Sequence, residues 1–136
     1  LKRIWLLISI VIAIIIALLS INYINVTTFG DKINEFTKKN GSIDTLIIEQ
    51  ENADSVLVED KEFILYLIER ATDMKLKSGE PFSPNERMFS IIIDTGSDQP
   101  HFIHLKENQI FMYGDYFDIQ GDNYLRKSIE DNVLDK

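Results

Sequence analysis

The chain has 136 residues, with 22 acidic against 14 basic, a formal net charge of −8 and no cysteine. Without thiols there are no disulfides, thiolate metal sites, cysteine nucleophiles or lipid-modified cysteine anchor. The acidic balance argues against nucleic acid, whose phosphates demand a basic patch.

The chain opens with Ile4–Ile21, IWLLISIVIAIIIALLSI, eighteen residues free of charge, Pro and Gly and interrupted only by Ser9 and Ser20. As a helix this run reaches about 27 Å, close to one bilayer hydrocarbon core. Lys2 and Arg3 flank its amino end, and the next basic residue is Lys32. The positive flank stays cytoplasmic, so the expected topology is amino terminus in and carboxyl terminus out. Residues 1–21 are therefore expected to form a transmembrane anchor with a short cytoplasmic stub, meeting the lipid bilayer through residues 4–21. Tyr23 and Trp5 stand where interfacial aromatics belong. A cleaved signal peptide carries a shorter apolar region of about 7–15 residues and a small-x-small site. Here Leu18 and Ser20 occupy those two positions, so an uncleaved anchor is expected.

All 22 acidic and 12 of the basic residues follow residue 30, so everything beyond the anchor carries a net −10. A surface this negative keeps a domain soluble and off anionic lipid headgroups. Residues 22–42 read as a stalk, punctuated by Gly30, Lys38-Lys39 and Asn40-Gly41, with Ile33 and Phe36 able to form one helical turn packed back on the domain. Asn25-Val26-Thr27 has the spacing of a glycosylation acceptor. Residues 43–136 suffice for one modest α+β domain with its own core.

Ile43–Gln50 and Ser55–Val58 read as strands, and Asp60 as the N-cap of a helix over 61–75, with Ile64, Leu67, Ile68 and Ala71 on its apolar stripe. Lys77–Glu86, with Gly79, Pro81 and Pro84, must be a loop. Strands follow at Arg87–Asp94, His101–Lys106 and Gln109–Tyr113, joined by hairpin-length connections. A small strand at Tyr116–Ile119 and a helix near 123–133 close the chain. The expected domain is an antiparallel sheet of four or five strands in the order β-β-α-β-β-β-α.

Side-chain parity divides the sheet residues. Ile91, Ile93, Ile103, Leu105, Ile110 and Met112 share one side, the natural seat of the first helix. The other side carries Ile92, Phe102, His104, Phe111 and Tyr113 and is too apolar for an ordinary wetted face. Either the last helix (Tyr124, Leu125, Ile129, Val133) or the stalk covers it, which is the favoured arrangement, or Phe102, His104, Phe111 and Tyr113 form a binding surface.

Three motifs suggest chemistry and fail on spacing. Ile91-Ile92-Ile93-Asp94-Thr95-Gly96-Ser97 is similar to the aspartic-protease signature, which works through two carboxylates sharing a proton. This chain holds the motif once and lacks the bracing segment that follows it in that family, so the plain reading is a strand running into a turn. His101 and His104 are three apart on a strand and face opposite ways, so no shared metal is expected. An EF-hand loop from Asp118 would need Gly at position six and Glu at twelve, where Asn123 and Ile129 stand. No cofactor and no metal site follow from the sequence.

The plan of inward-flanked anchor, short stalk and small α+β module, with SVLVEDKEFILYLIE and NQIFMYGDYFDI at its helix start and hairpin, resembles small membrane-anchored proteins of Gram-positive bacteria. That resemblance implies a location and a fold, and no activity. The expected function is an extracytoplasmic, non-catalytic binding or regulatory module acting on another membrane or envelope protein. An immunity or protective protein at the membrane is the alternative. A cell-envelope hydrolase using carboxylates such as Asp94 and Asp115 is a third.

Overall fold

The computed structural model describes residues 1–134 and leaves out the side chains of residues 22–24, so the interfacial placement expected for Tyr23 lies outside the described residues. Helix α1 runs Lys2–Ile24. Its segment Lys2–Ile21 is long and apolar enough to cross a membrane, and none of it is buried inside the protein, unlike the core helix of a soluble domain. Both serines in the run are satisfied within the helix: Ser9 Oγ donates to the Trp5 carbonyl at 2.9 Å and Ser20 Oγ to that of Ile16 at 2.8 Å. Such internal bonding is what a hydrocarbon environment requires of a polar side chain.

Only Asn25 separates α1 from strand β1 (Val26–Thr28), which leads directly into α2 (Phe29–Asn40). This corrects the expectation of a stalk over 22–42. Thr28 caps α2 by accepting the Asp31 N–H at 3.1 Å, and Asp31 and Lys38-Lys39 suit the two ends of the helix dipole. Gly41, at φ 92°, ends it. Phe29, Ile33 and Phe36 are buried in the main core. Burial of side chains this size contributes about 1.5–3 kcal/mol each, enough to hold the segment down.

Strands β2 (Thr45–Gln50) and β3 (Val56–Val58) form a hairpin, and helix α3 (Lys61–Ala71) follows, capped by the Asp60 carboxylate. The helix ends at Ala71, four residues earlier than its periodicity predicts. The chain must turn there to bury Met74 and to set Leu76, also buried, on strand β4 (Lys75–Ser78). A loop with a 3-10 turn at Pro84–Glu86 leads to β5 (Phe89–Asp94), β6 (His101–Leu105), β7 (Gln109–Met112) and β8 (Asp115–Gln120). Helix α4 (Tyr124–Ile129) continues into a π-helical turn at Glu130–Leu134.

The strands make one antiparallel sheet of eight, in the order β1-β4-β8-β7-β6-β5-β2-β3. The architecture is α+β, as expected, with more strands than the four or five anticipated. Strands β1 and β4 have three and four residues and carry no periodic signal; β4 is defined by pairing with β8, Leu76 opposite Ile119, and β1 by pairing with β4, Val26 opposite Lys77 and Thr28 opposite Lys75. One face of the sheet receives α2, α3 and α4 together. Ile33, Leu67 and Ile129 share a single cluster with Ile48, Ile93, Ile103, Ile110 and Leu76. The predicted helix-bearing parity set, Ile91 through Met112, is buried as one.

Candidate functional site

None of α2, α3 and α4 covers the opposite face of the sheet. The favoured arrangement, a last helix or stalk lying over the aromatic side, is therefore corrected: α4 and α2 both pack on the aliphatic side. Their apolar stripes (Leu125, Ile129 and Val133; Phe29, Ile33 and Phe36) complete the core that α3 alone is too short to close.

Cross-strand register builds the open face in two rows. In the first, Leu57 lies opposite Ile47, Ile47 opposite Ile92, and Ile92 opposite Phe102. In the second, Glu49, Ser90, His104, Phe111 and Tyr116 follow one another across five strands. The rings form a ladder. Phe102 to His104 is 6.2 Å between centroids, His104 to Phe111 5.5 Å, Phe111 to Tyr116 4.8 Å, and Phe82 meets Tyr116 edge-on at 5.2 Å. The two cross-strand pairs among these, His104–Phe111 and Phe111–Tyr116, each add about 0.5–1 kcal/mol to the sheet.

The Pro-containing loop shields one end of the ladder. Phe82 from that loop is buried beside Tyr116, Lys106 sits 5.2 Å over the Phe82 ring, and Gln109 Nε2 donates to the Glu80 carbonyl at 3.2 Å. Gly79 makes the close approach possible, since a Cβ there would stand 2.8 Å from the Asp118 backbone nitrogen. The far end stays open, with Phe102 42% and Leu57 56% exposed.

His104 is the titratable group of this face. Its Nδ1 lies 3.3 Å from the Oγ of buried Ser90, and desolvation followed by the positive charge of Arg87 pushes its pKa below the usual histidine value. The imidazole is thus held neutral at neutral pH, as an apolar contact surface requires.

The structure gathers Phe102, His104 and Phe111 and separates Tyr113 from them. Tyr113 and Gly114 have φ of 53° and 87° and form the two-residue turn between β7 and β8, both in the left-handed region of a type I′ hairpin. The turn breaks strand parity and sends the Tyr113 ring to the helix side, stacked on Phe36 at 4.5 Å. His101 meets Phe36 edge-on at 4.8 Å there, so the two histidines do lie on opposite faces. A cleft of about 300 Å³ lies here between α2 and the sheet, lined by Phe36, Lys39, His101, Tyr113 and Asp115 among others.

The carboxylates considered for hydrolysis do not converge. Asp94 follows buried Ile93 on the open side and accepts the Gly96 N–H at 2.8 Å in its turn, whereas Asp115 lines the cleft on the helix side. Among the described residues no group of three His, Asp or Glu side chains is placed to hold a metal ion. The acidic run Asp115–Asp122 is strand β8 and a turn. Buried Asn123 then caps α4, accepting from Arg126 N–H at 3.0 Å while donating to the carbonyls of Lys106 and Glu107.

Sequence reasoning missed Ile47, Leu57, Tyr116 and Phe82 as members of the open face. Parity along IDTLIIEQ and SVLV identifies Ile47 and Leu57 once β2 is known to pair with β5. Phe82 carries no such signal, because its place depends on how a loop folds back. Nothing among protein-family models, curated proteins or solved structures matches this chain.

Proposed function

We propose that this protein is a membrane-anchored binding module whose open sheet face docks on another membrane or envelope protein. The observation that carries the reading is the uncovered row Leu57, Ile47, Ile92 and Phe102, continued by the His104–Phe111–Tyr116 ladder, on a sheet whose helices all pack on its other side. Contiguous apolar surface rimmed by polar residues, here Glu49, Thr45 and Asp94, is the mark of a protein contact. Helix α1 spans the membrane with its basic flank inside and the sheet outside. Asn25 as the only linker holds β1 at the bilayer surface and limits the domain to partners close to the membrane. Immunity against a toxin is one form such docking takes, with the toxin as the partner.

Site-specific photocrosslinking in intact membranes tests this. A photoreactive residue at Phe102 is expected to give a discrete adduct that the same residue at Glu69, on the outer surface of α3, does not. Equal adducts at both positions, or none at Phe102, would defeat the reading.

A further inference from the structure

The two edges of the sheet are not equivalent. Edge strand β1 is tied to the anchor and continues at once into α2, whereas β3 ends the sheet on the other side, seven strand spacings or about 34 Å across from it. Beyond β2, strand β3 has no ladder partner among the described residues. Its three residues are Val56, Leu57 and Val58, with no Lys, Pro or bulge of the kind that blunts exposed edges. A groove of about 350 Å³ adjoins this edge, lined by Val56, Val58, Phe63 and Val133 together with Glu59.

Acidic residues bracket the edge. Glu51 and Asp54 precede it, Glu59 and Asp60 follow, and Asp60 is committed to capping α3. Among the described residues Glu51, Asp54 and Glu59 have no ion-pair partner. Antiparallel pairing of two copies through β3 would set the Asp54 end of one against the Glu59 end of the other, acid on acid. Like charges directly opposite are destabilising, so the flanks work against self-pairing and leave the backbone edge available to a cationic strand.

We propose that the β3 edge accepts an extended segment of the partner polypeptide, apolar at alternate positions and basic at both ends, as a ninth strand. The inference rests on the docking reading above and names its chemistry. The ladder bonds supply affinity, the groove takes alternate side chains, and Glu51, Asp54 and Glu59 select for Lys or Arg flanks.

The test uses the full chain in detergent micelles and a labelled synthetic peptide, Lys-Lys-Val-Thr-Val-Thr-Val-Lys-Lys, followed by fluorescence anisotropy. Binding about tenfold tighter than that of the same peptide with Glu flanks is expected from several partly exposed charge pairs. Replacing the central Val and the Thr before it by Pro-Pro should abolish binding, because one of two successive N–H groups must face the ladder and Pro cannot donate there. In the protein, Leu57→Lys should weaken binding, and Asp54→Lys with Glu59→Lys should invert the flank preference; circular dichroism checks that both variants fold. Equal binding of the Pro peptide, or no change of preference on charge reversal, overturns the proposal. So does efficient disulfide-linked dimerisation of Leu57→Cys in membranes, which would make a second copy the occupant. If crosslinking at Phe102 succeeds while the peptide fails to bind, only the edge proposal falls; a bound peptide without Phe102 adducts defeats the face and spares the edge.

Discussion

The ring of Phe36 stacks on that of Tyr113 with centroids 4.5 Å apart and planes 11° from parallel. One residue belongs to α2, which follows the apolar helix α1 and the short strand β1, the other to a hairpin turn seventy-seven positions later. The contact fastens α2 to the end of the sheet, so that the segment following the apolar helix belongs to the domain.

Phe36→Ala should therefore destabilise the domain by about 3–5 kcal/mol, the usual cost of removing a buried aromatic ring. Chemical denaturation followed by circular dichroism measures it. A change below about 1 kcal/mol would mean that residues 29–40 do not belong to the core.

The Tyr113 hydroxyl is sealed from solvent with no hydrogen-bond partner, and burial raises its pKa. Because an unsatisfied buried hydroxyl costs about 1–3 kcal/mol, Tyr113→Phe should stabilise the fold by roughly 1 kcal/mol while keeping the stack on Phe36. A lowered denaturation midpoint would show that the hydroxyl is satisfied in solution.

Gly30 lies in the first turn of α2, where Ala normally favours a helix. Here an added Cβ would stand 2.7 Å from Thr72 Cγ2 and 3.0 Å from the Thr72 carbonyl oxygen, which accepts the Gly30 N–H. The clash outweighs helix propensity, and Gly30→Ala should cost about 1–3 kcal/mol by overpacking. Increased stability on substitution would contradict the close α2–α3 approach.

His104 links stability to pH with a definite sign. Its folded-state pKa lies below the unfolded value of about 6.5, so the unfolded chain binds the proton more readily. The contribution of His104 is neutral well above that value and turns destabilising as pH falls through it, levelling off below the folded pKa. Comparing wild type with His104→Gln between pH 8 and 5 isolates this group, and the variant should lose less stability on acidification. Parallel pH curves would remove the argument that this imidazole is held neutral by its surroundings.

With no native cysteine, single substitutions report topology directly. A membrane-impermeant maleimide should label Ser97→Cys, in the exposed β5–β6 turn, in intact cells, and should reach Leu1→Cys only after permeabilisation. The reverse pattern would invert the orientation inferred from Lys2 and Arg3.

Much of the sheet was legible in the sequence. Alternation at Ile91–Ile93, Ile103–Leu105 and Ile110–Met112 marks one buried side because strand geometry alone enforces a two-residue period. Of the candidate surface, Phe102, His104 and Phe111 were legible on the same ground. Tyr113 was not: parity assumes an extended backbone, and positive φ in the turn ends that assumption one residue too early. Helix α2 was hidden because a twelve-residue segment with three apolar anchors and a mean polar composition looks like a linker until something exists for it to cover.

The chain alone determines the apolar span, its basic flank, the acidic domain beyond it and the division of the strands into two sets of side chains. These are local properties, set by hydropathy, charge and backbone period. Which set the helices cover was decided only in three dimensions. Both faces are apolar enough to be buried, and the outcome rests on where α2 and α4 can reach once β1 pairs with β4 and Phe36 meets Tyr113. Those contacts leave the row from Leu57 to Phe102 facing solvent, because three short helices suffice to close one face of an eight-stranded sheet and none remains for the other.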